Sequence, residues 1–555
     1  MTEISTLENV RLSYQPKLPK VFTENGTEVS VTEGNATTSV ADNEAMQKRF
    51  PNTYGLPLVE FQSGEQSDNL ELNLGVVLSG GQAPGGHNVI AGLFDALKSM
   101  NRDNKLFGFK KGPDGLIKKD YIILDDDTID AYRNTGGFDM IASGRTKLET
   151  EDQFATVTQN CRDLGVNALV IIGGDDSNTN ACLLAEYFEQ NDIEIKVIGC
   201  PKTIDGDLKS AQIETSFGFD TATKVYSELI GNLQRDTNSA QKYWHFIRLM
   251  GRSASHITLE CALQTQPNVT IISEEVAERE KTLNQVVEDI ASAVAKRAEK
   301  GLDFGVVLLP EGLIEFFPEI NALIGELNDI MADNEQELKT IEEHSEKVKF
   351  VESRLSTETS TAFTSLPAEI QQQLLEDRDP HGNVQVSRIE TEKMLIEMVD
   401  ELLTKWQTEG KYNGKFKTHA HFFGYEGRCS FPSNFDADYC YSIGYTAACL
   451  AASGRTGYMA AVNNLHLPAE QWQAGGIPLT MMMNMERRKG GDHPVIKKAL
   501  VELNQAPFKE FAAKREEWAE NTCYKYPGPI QYYGPAELSD CTTKTLQLEH
   551  ANTNN

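Results

Sequence analysis

Six glycine-bearing loops in this chain, five of them with charged side chains, have patterns suited to handling phosphate. The most suggestive is Pro201-Lys202-Thr203-Ile204-Asp205-Gly206-Asp207. Moving a phosphoryl group onto a hydroxyl needs a base within reach of that hydroxyl and cations on the transferring group. Asp205 or Asp207 can be the base and Lys202 one of the cations, although the string also reads as a solvated Asp-Gly turn. Two further loops are glycine pairs. Ser79-Gly80-Gly81-Gln-Ala-Pro-Gly-Gly86 can bring backbone close to a phosphate ahead of a helix N-terminus, or can be a tight turn. Gly173-Gly174-Asp175-Asp176-Ser177 adds two acids, more than a helix cap needs. Asp175 there can hold Mg²⁺, a hard cation that takes carboxylate and phosphate oxygens.

The other three loops carry one charge or two. Met250-Gly251-Arg252 ends an apolar run, where an arginine is costly unless it meets an anion or an internal partner. Pro310-Glu311-Gly312 offers a carboxylate to sugar hydroxyls or to a helix start. Gly424-Tyr425-Glu426-Gly427-Arg428 sets a guanidinium next to glycine, suited to bidentate phosphate binding or to a surface turn. No Gly-x4-Gly-Lys-Ser/Thr string is present, so this is not a Walker loop.

The elements around these loops explain how they could converge. Short continuous apolar runs alternate with helical periodicity: Leu74–Leu78 before 87–100, Ala168–Ile172 before 179–188, and Ile195–Gly199 before 221–233. The same alternation continues with Trp244–Met250 before 253–263, Val269–Ile272 before 283–298, and then Phe304–Leu309. That pattern predicts an α/β fold with parallel sheets covered on both faces, long enough for two doubly wound lobes. Ligands of such sheets sit outside the carboxyl ends of the strands, where all six loops fall.

The expected organisation is an N-terminal extension over 1–72, with a helix or two, then a donor-binding lobe over 73–215. A second α/β lobe covers 216–320 and a helical insertion 321–404, with a turn near 379–383. The α/β core resumes over 405–485, part of it returning to the first lobe. A helical extension fills 486–555, its tail after Thr542 expected to be disordered.

A chain of 555 residues has room for two to four domains, and 40% hydrophobic with 24% charged residues is an ordinary globular balance. The net charge of −30 argues against nucleic acid and anionic membranes as partners. Basic residues that meet phosphates must therefore be concentrated locally. The nine cysteines form no Cys-x-x-Cys pair, which predicts reduced thiols in a cytoplasmic protein rather than disulfides or a zinc site. The start of the chain has no apolar run to mark a signal peptide, and no apolar stretch reaches membrane-spanning length.

Taken in order, the six loops resemble the phosphofructokinase family over about 70–320 and 415–465. The resemblance implies two α/β lobes with the active site between them. It places Gly80 and Gly81 in the donor-phosphate loop and Asp175 in the Mg²⁺ position. Asp205 becomes the general base, with Thr203 and Ile204 beside it and Asp207 as a second acid. Met250, Gly251 and Arg252 match the sugar-phosphate strand end, and Glu311 the sugar-hydroxyl acceptor. Tyr425, Glu426, Gly427 and Arg428 match a loop that holds the 6-phosphate. Arg145 fits the arginine facing the transferred phosphate. Lys242 and Tyr243 fall where a neighbouring subunit lends residues, which implies at least a dimer.

Two positions bear on the phosphoryl donor. ATP-using members resemble Gly-Gly-Asp-Gly-Ser where this chain has Asp176, and carry a small residue where it has Lys202. A carboxylate at 176 opposes the α-phosphate of ATP, and an unpaired like charge costs several kcal/mol. Lys202 offers an ammonium to a compact polyanion. The resemblance is thus to the pyrophosphate-dependent branch, and the length and the string 379–387 resemble its long, plant-like clade. It implies reversible, Mg²⁺-dependent transfer from pyrophosphate to the 1-hydroxyl of fructose 6-phosphate, a step of glycolysis. The alternatives are an ATP-dependent kinase of the same sugar phosphate and a non-catalytic regulatory subunit.

Overall fold

The structure, a computed structural model, describes residues 4–64, 70–338, 340–341, 343–376, 384–488 and 491–551. The turn expected near 379–383 lies outside them. The chain divides into two compact units. The first comprises 1–222, 425–499 and 530–550, and the second 223–424, 500–529 and 551–555.

The first unit is built on a nine-stranded sheet. Its order is Val29–Ala36, Pro57–Ser63, Gln473–Pro478, Tyr458–Asn463, Lys196–Pro201, Ala168–Gly173, Leu74–Leu78, Leu106–Phe109 and Tyr121–Leu124. The five strands from Tyr458–Asn463 to Leu106–Phe109 run parallel; both flanks are antiparallel. Leu74–Leu78 and Ala168–Gly173 are buried along their whole length, which is why they read as continuous apolar runs.

Both glycine-pair loops leave this sheet into long helices, Gly86–Met100 and Asp175–Gln190. Neither helix has a side-chain cap at its N-terminus. Their first backbone N–H groups are thus not taken by a capping side chain.

Close approach of backbone fixes the first of these helices. A Cβ at Gly92 would lie 2.2 Å from the Tyr441 carbonyl oxygen, and one at Gly444 would lie 2.2 Å from that of Val89. The helix Asn434–Ala452 therefore packs glycine-to-backbone against Gly86–Met100. Asp436, on that same helix, accepts from the N–H groups of Gly218 (3.0 Å) and Thr221 (2.9 Å) and from the Thr221 hydroxyl. Burial and neighbouring Asp220 push its carboxyl up to about 7.

The second unit carries a four-stranded, wholly parallel sheet, in the order Thr418–Phe423, Trp244–Leu249, Gly305–Pro310, Val269–Thr270. The helices of the acidic segment do not form a core of their own. Phe363 and Leu374 from Thr357–Thr364 and Ala368–Glu376, and Leu395 from Thr391–Thr408, join Trp244, Phe246 and Val307 of the sheet in one buried cluster.

Three expectations change. The N-terminal region supplies two strands besides its helices, Val29–Ala36 at the edge of the sheet and Pro57–Ser63 beside it; their largely exposed positions hid the alternation that marks a strand. A hairpin, Met483–Arg488 with Gly491–Ile496, crosses the boundary drawn at 485/486. The tail after Thr542 forms the helix Lys544–Ala551, held where Lys209 Nζ donates to Glu549 Oε1 (2.6 Å). Among the described residues no helix is long and apolar enough to cross a membrane.

The glycine contact gives a direct test. Gly444→Ala drives a methyl group into the Val89 carbonyl and should cost about 2 kcal/mol or more, read as a lower urea midpoint. An unchanged midpoint would show that the two helices are not so closely packed.

Candidate active site

In the first unit, three strand ends stand side by side: Leu78, Gly173 and Pro201. They set the loops 79–86, 173–177 and 201–207 next to one another. Ser79 pairs in parallel with Gly144, and Gly80 N–H donates to the Gly144 carbonyl (2.9 Å). This draws the segment bearing Arg145 and Lys147 to the same edge. Asn178 donates to the carbonyls of Gly173 (2.7 Å), Gly174 (2.9 Å) and Cys200 (3.3 Å), stitching two of the strand ends together. The Ser177 hydroxyl donates to that of Ser79 (2.8 Å), linking the two glycine loops.

At the centre lies Lys202. Its N–H donates to the Gly173 carbonyl (3.0 Å), and its ammonium donates to the Gly81 carbonyl (2.9 Å) across the first glycine loop. Gly80 has φ +85°, and a Cβ there would lie 3.2 Å from Lys202 Nζ. Lys202 is only 6% exposed. Burial lowers its ammonium from the usual lysine range to about 8, with Arg428 and Arg145 acting in the same direction and Asp205 and Asp175 opposing. One lysine thus feels the charges of four of the expected site residues.

The carboxylates divide into distinct environments. Asp207 is buried and is pushed up to about 7 by burial, then by the charges of Asp205 and Asp175, with Lys498 opposing. Asp205 is half-buried; its backbone N–H donates to the Thr203 hydroxyl (3.1 Å), which sets the turn. Its carboxylate has no hydrogen-bond or ion-pair partner among the described residues. Asp175 opens its helix behind an uncapped Gly174, so it is not spent on capping, and it faces Lys498 Nζ at 3.8 Å. Asp175, Asp205 and Asp207 are close enough for the charges of the first two to act on the third, and together they offer the hard oxygen donors that suit Mg²⁺.

Two expected roles are revised by the geometry. Asp176 is not an unpaired charge: Lys147 Nζ lies 3.5 Å from its Oδ1, both side chains being about half exposed. The segment after Gly424 is a short helix, Tyr425–Arg428, not an open turn. Arg428 Nε donates to the Gln82 carbonyl (2.7 Å), and a Cβ at Gly81 would lie 1.5 Å from Arg428 Nη2. Gly81 is therefore glycine to let the Arg428 guanidinium cross the first glycine loop. Tyr425 is 66% exposed, Glu426 is exposed and Gly427 is buried. Ile204 is buried as a packing residue under the loop.

In the second unit, the strand ends Leu249 and Pro310 are adjacent. Buried Glu311 accepts from the Gly251 N–H (3.1 Å), and a Cβ at Gly312 would lie 1.8 Å from the Arg252 carbonyl oxygen. The Met250-Gly251-Arg252 and Glu311-Gly312 loops are thereby locked together. Gly251 has φ +126°, a conformation costly for other residues. Met250 N–H donates to the Phe423 carbonyl (3.0 Å). Arg252 is exposed, so the desolvation argument made for it from the sequence does not apply; its guanidinium is open to solvent. Lys242 is exposed, its ammonium 5.1 Å from the centre of the Tyr243 ring, and that ring lies 4.5 Å from His419.

A sequence model described as Phosphofructokinase matches residues 73–451. The chain belongs to the phosphofructokinase family. Pyrophosphate–fructose 6-phosphate 1-phosphotransferase of Porphyromonas gingivalis is 57% identical to it over 546 residues, 98% of this chain and 99% of that one. The protein of the same name from Treponema pallidum is 55% identical over 556 residues, 98% of this chain and 97% of that one. The crystal structure of pyrophosphate-dependent phosphofructokinase from Nitrosospira multiformis aligns with a TM-score of 0.54 at 16% identity, over 86% of this chain and 97% of that one. That likeness is one of fold.

Within the family frame, sequence reasoning missed Lys147, Lys498, Asn178 and Gln82. Lys147 follows Arg145 by two residues and was available as a second cation beside a suspected site. Lys498 is far away in sequence and arrives through the hairpin 483–496, which no motif announces.

The buried acid generates a stability prediction. The fold binds the Asp207 proton more tightly than the unfolded chain, whose carboxyl has the ordinary value. Ionisation therefore costs stability increasingly from about pH 4 to about pH 7, and fully above that. Asp207→Asn, measured with a chelator present, should raise Tm by a few degrees at pH 8 and by progressively less towards pH 4. A fall in Tm at pH 8 would contradict the burial argument.

Proposed function

We propose that this chain transfers a phosphoryl group from pyrophosphate to the 1-hydroxyl of fructose 6-phosphate, reversibly, giving fructose 1,6-bisphosphate and phosphate. The observation that carries the reading is the buried Lys202 ammonium over the first glycine loop, with Asp205 held unpartnered in the same turn. Relatives more than half identical over almost the whole chain bear pyrophosphate and fructose 6-phosphate in their names.

Asp205 takes the proton of the 1-hydroxyl as its oxygen attacks the nearer phosphorus in line, and phosphate leaves. Lys202 and Arg145 hold the transferring group and neutralise the charge that develops on it. Asp207, buried beside Asp205 and Asp175, is the second acid of the site. Asp175, with Asp205 and Asp207 close by, would hold Mg²⁺, which supplies Lewis-acid polarisation of the phosphoryl oxygens. Gly251, Arg252 and Glu311 bind the sugar phosphate, Arg252 as a solvent-open guanidinium suited to a phosphate dianion. Met250, Thr203 and Ile204 shape the loops around it. Tyr425, Glu426, Gly427 and Arg428 complete the phosphate-binding set. Lys242 and Tyr243 would reach the neighbouring site in a homodimer. A cytoplasmic location accords with free thiols and phosphorylated substrates.

The donor preference follows from charge. Pyrophosphate is compact and meets Lys202 directly. A nucleotide must carry its α-phosphate past Asp176, whose charge Lys147 only partly offsets at the exposed surface. The retention of Asp175, Asp205 and Asp207 speaks against a regulatory subunit, because the whole phosphoryl-transfer set is intact.

Phosphorus NMR of a reaction with fructose 6-phosphate, Mg²⁺ and pyrophosphate should show the 1,6-bisphosphate and inorganic phosphate growing together. Asp205→Ala should lower kcat by about 10³-fold or more with little change in KM. Near-normal turnover of that variant would remove the base assignment. Asp176→Gly deletes the opposing carboxylate and frees Lys147 for a phosphate, so kcat/KM for ATP should rise by about tenfold or more. No gain with ATP would count against the charge barrier.

A further inference from the structure

Away from these loops, three side chains of the first unit form a cluster with no part in phosphoryl transfer. Glu214 lies on the segment between Lys196–Pro201 and Phe219–Ala240, seven residues beyond Asp207. His466 follows the strand Tyr458–Asn463, and His550 sits on the C-terminal helix Lys544–Ala551. The ligand atoms of all three lie within 4.8 Å of one another. Glu214 Oε1 is 3.2 Å from His550 Nε2, and the two imidazole rings stack at 3.9 Å between centres, 8° from parallel.

We propose that Glu214, His466 and His550 form a binding site for a borderline divalent cation, Zn²⁺ by its chemistry, that staples the C-terminal helix to the segment carrying Asp205 and Asp207.

Three observations support a ligand here. The Glu214 side chain is only 10% exposed, and its other oxygen is already fixed by the Leu465 N–H at 2.7 Å, so Oε1 is held in place. His466 Nδ1 is buried without a hydrogen-bond partner, a polar atom with its lone pair or proton unsatisfied. The helix bearing His550 is anchored next to the cluster, because Lys209 Nζ bonds both Glu549 oxygens, at 2.6 and 2.8 Å. Two imidazoles packed face to face otherwise gain little from each other.

The spacing and donor types select the ion. Nitrogen and oxygen ligands about 2.0–2.2 Å from a tetrahedral zinc stand roughly 3.3–3.5 Å apart. The Glu214–His550 separation already has that value within about 0.1–0.3 Å, and turning the His466 ring out of its stack on His550 would bring in the third ligand. Two imidazoles and one carboxylate suit zinc or cobalt and not magnesium, which prefers oxygen and keeps its water. Water fills the fourth position. Because Glu214 and Lys209 both lie on the segment that follows Asp205 and Asp207, an ion here would tie the helix Lys544–Ala551 to that segment.

The test uses the full-length protein and Co²⁺, whose spectrum reports its ligands. The wild type should bind one Co²⁺ per chain at micromolar concentration, with visible ligand-field bands and no thiolate charge-transfer band, and excess Mg²⁺ should not displace it. Native mass spectrometry of the wild type should show one Zn²⁺ per chain, and zinc should raise its Tm by mass action. His550→Ala and His466→Ala should lose that equivalent and the zinc-dependent rise in Tm, and Glu214→Gln should weaken both. Binding that persists unchanged in His550→Ala, or that carries thiolate bands, would place the ion elsewhere and overturn the proposal. So would a folded wild type that binds neither ion, in which case the cluster is a proton-linked clasp.

Discussion

The ammonium of Lys202, donating to the carbonyl of Gly81 in the first glycine loop, is the interaction around which the candidate site is arranged. A buried cation must be matched by its surroundings or lose its proton. Here burial weakens its hold on the proton, two arginines act in the same direction and two carboxylates oppose them, which leaves the ammonium titrating at about 8. Such a lysine remains a cation while being ready to give up hydrogen bonds to a more negative partner. The glycines at 80 and 81 follow from it: one must accept a positive φ against the lysine, and the other must let the Arg428 guanidinium cross. The carboxylates at 175, 205 and 207 balance these cations.

Placing so many charges together needs a stiff frame, and the frame is backbone packed on backbone. Asn178 binds three carbonyls at the ends of neighbouring strands. Gly92 and Gly444 let two helices approach to contact distance, and Asp436 closes the same corner with backbone hydrogen bonds. The second unit uses the same device on a smaller scale, where Gly312 nests on the Arg252 carbonyl and Glu311 caps the Gly251 N–H. Its helical segment adds core to the sheet instead of standing apart.

How much of this could be read from the residues depended on whether the signal was local. Buried parallel strands announce themselves as apolar runs, so Leu74–Leu78, Ala168–Gly173, Trp244–Leu249 and Gly305–Pro310 were legible to within a residue or two. The loops at their ends were legible for the same reason. Half-exposed edge strands such as Val29–Ala36 were not, because their side chains face water on most positions. Exposure itself was invisible: Arg252 looks costly in a linear reading and is open to solvent in the fold. Partners that arrive from distant segments were invisible too. Lys498 reaches Asp175 by way of a hairpin, and Arg428 reaches Gln82 across more than three hundred residues. The family resemblance supplied roles for these loops, while the contacts that tune them emerged only from the packing.

The most direct test of this picture compares donors in the wild type and in Lys202→Met, with fructose 6-phosphate and Mg²⁺ held constant. The account predicts turnover with pyrophosphate and almost none with ATP in the wild type. In the variant, kcat/KM for pyrophosphate should fall by about 10²-fold or more, as expected for loss of a buried charge-assisted contact to the reacting group. Efficient use of ATP by the wild type, or a Lys202→Met enzyme that handles pyrophosphate normally, would contradict it.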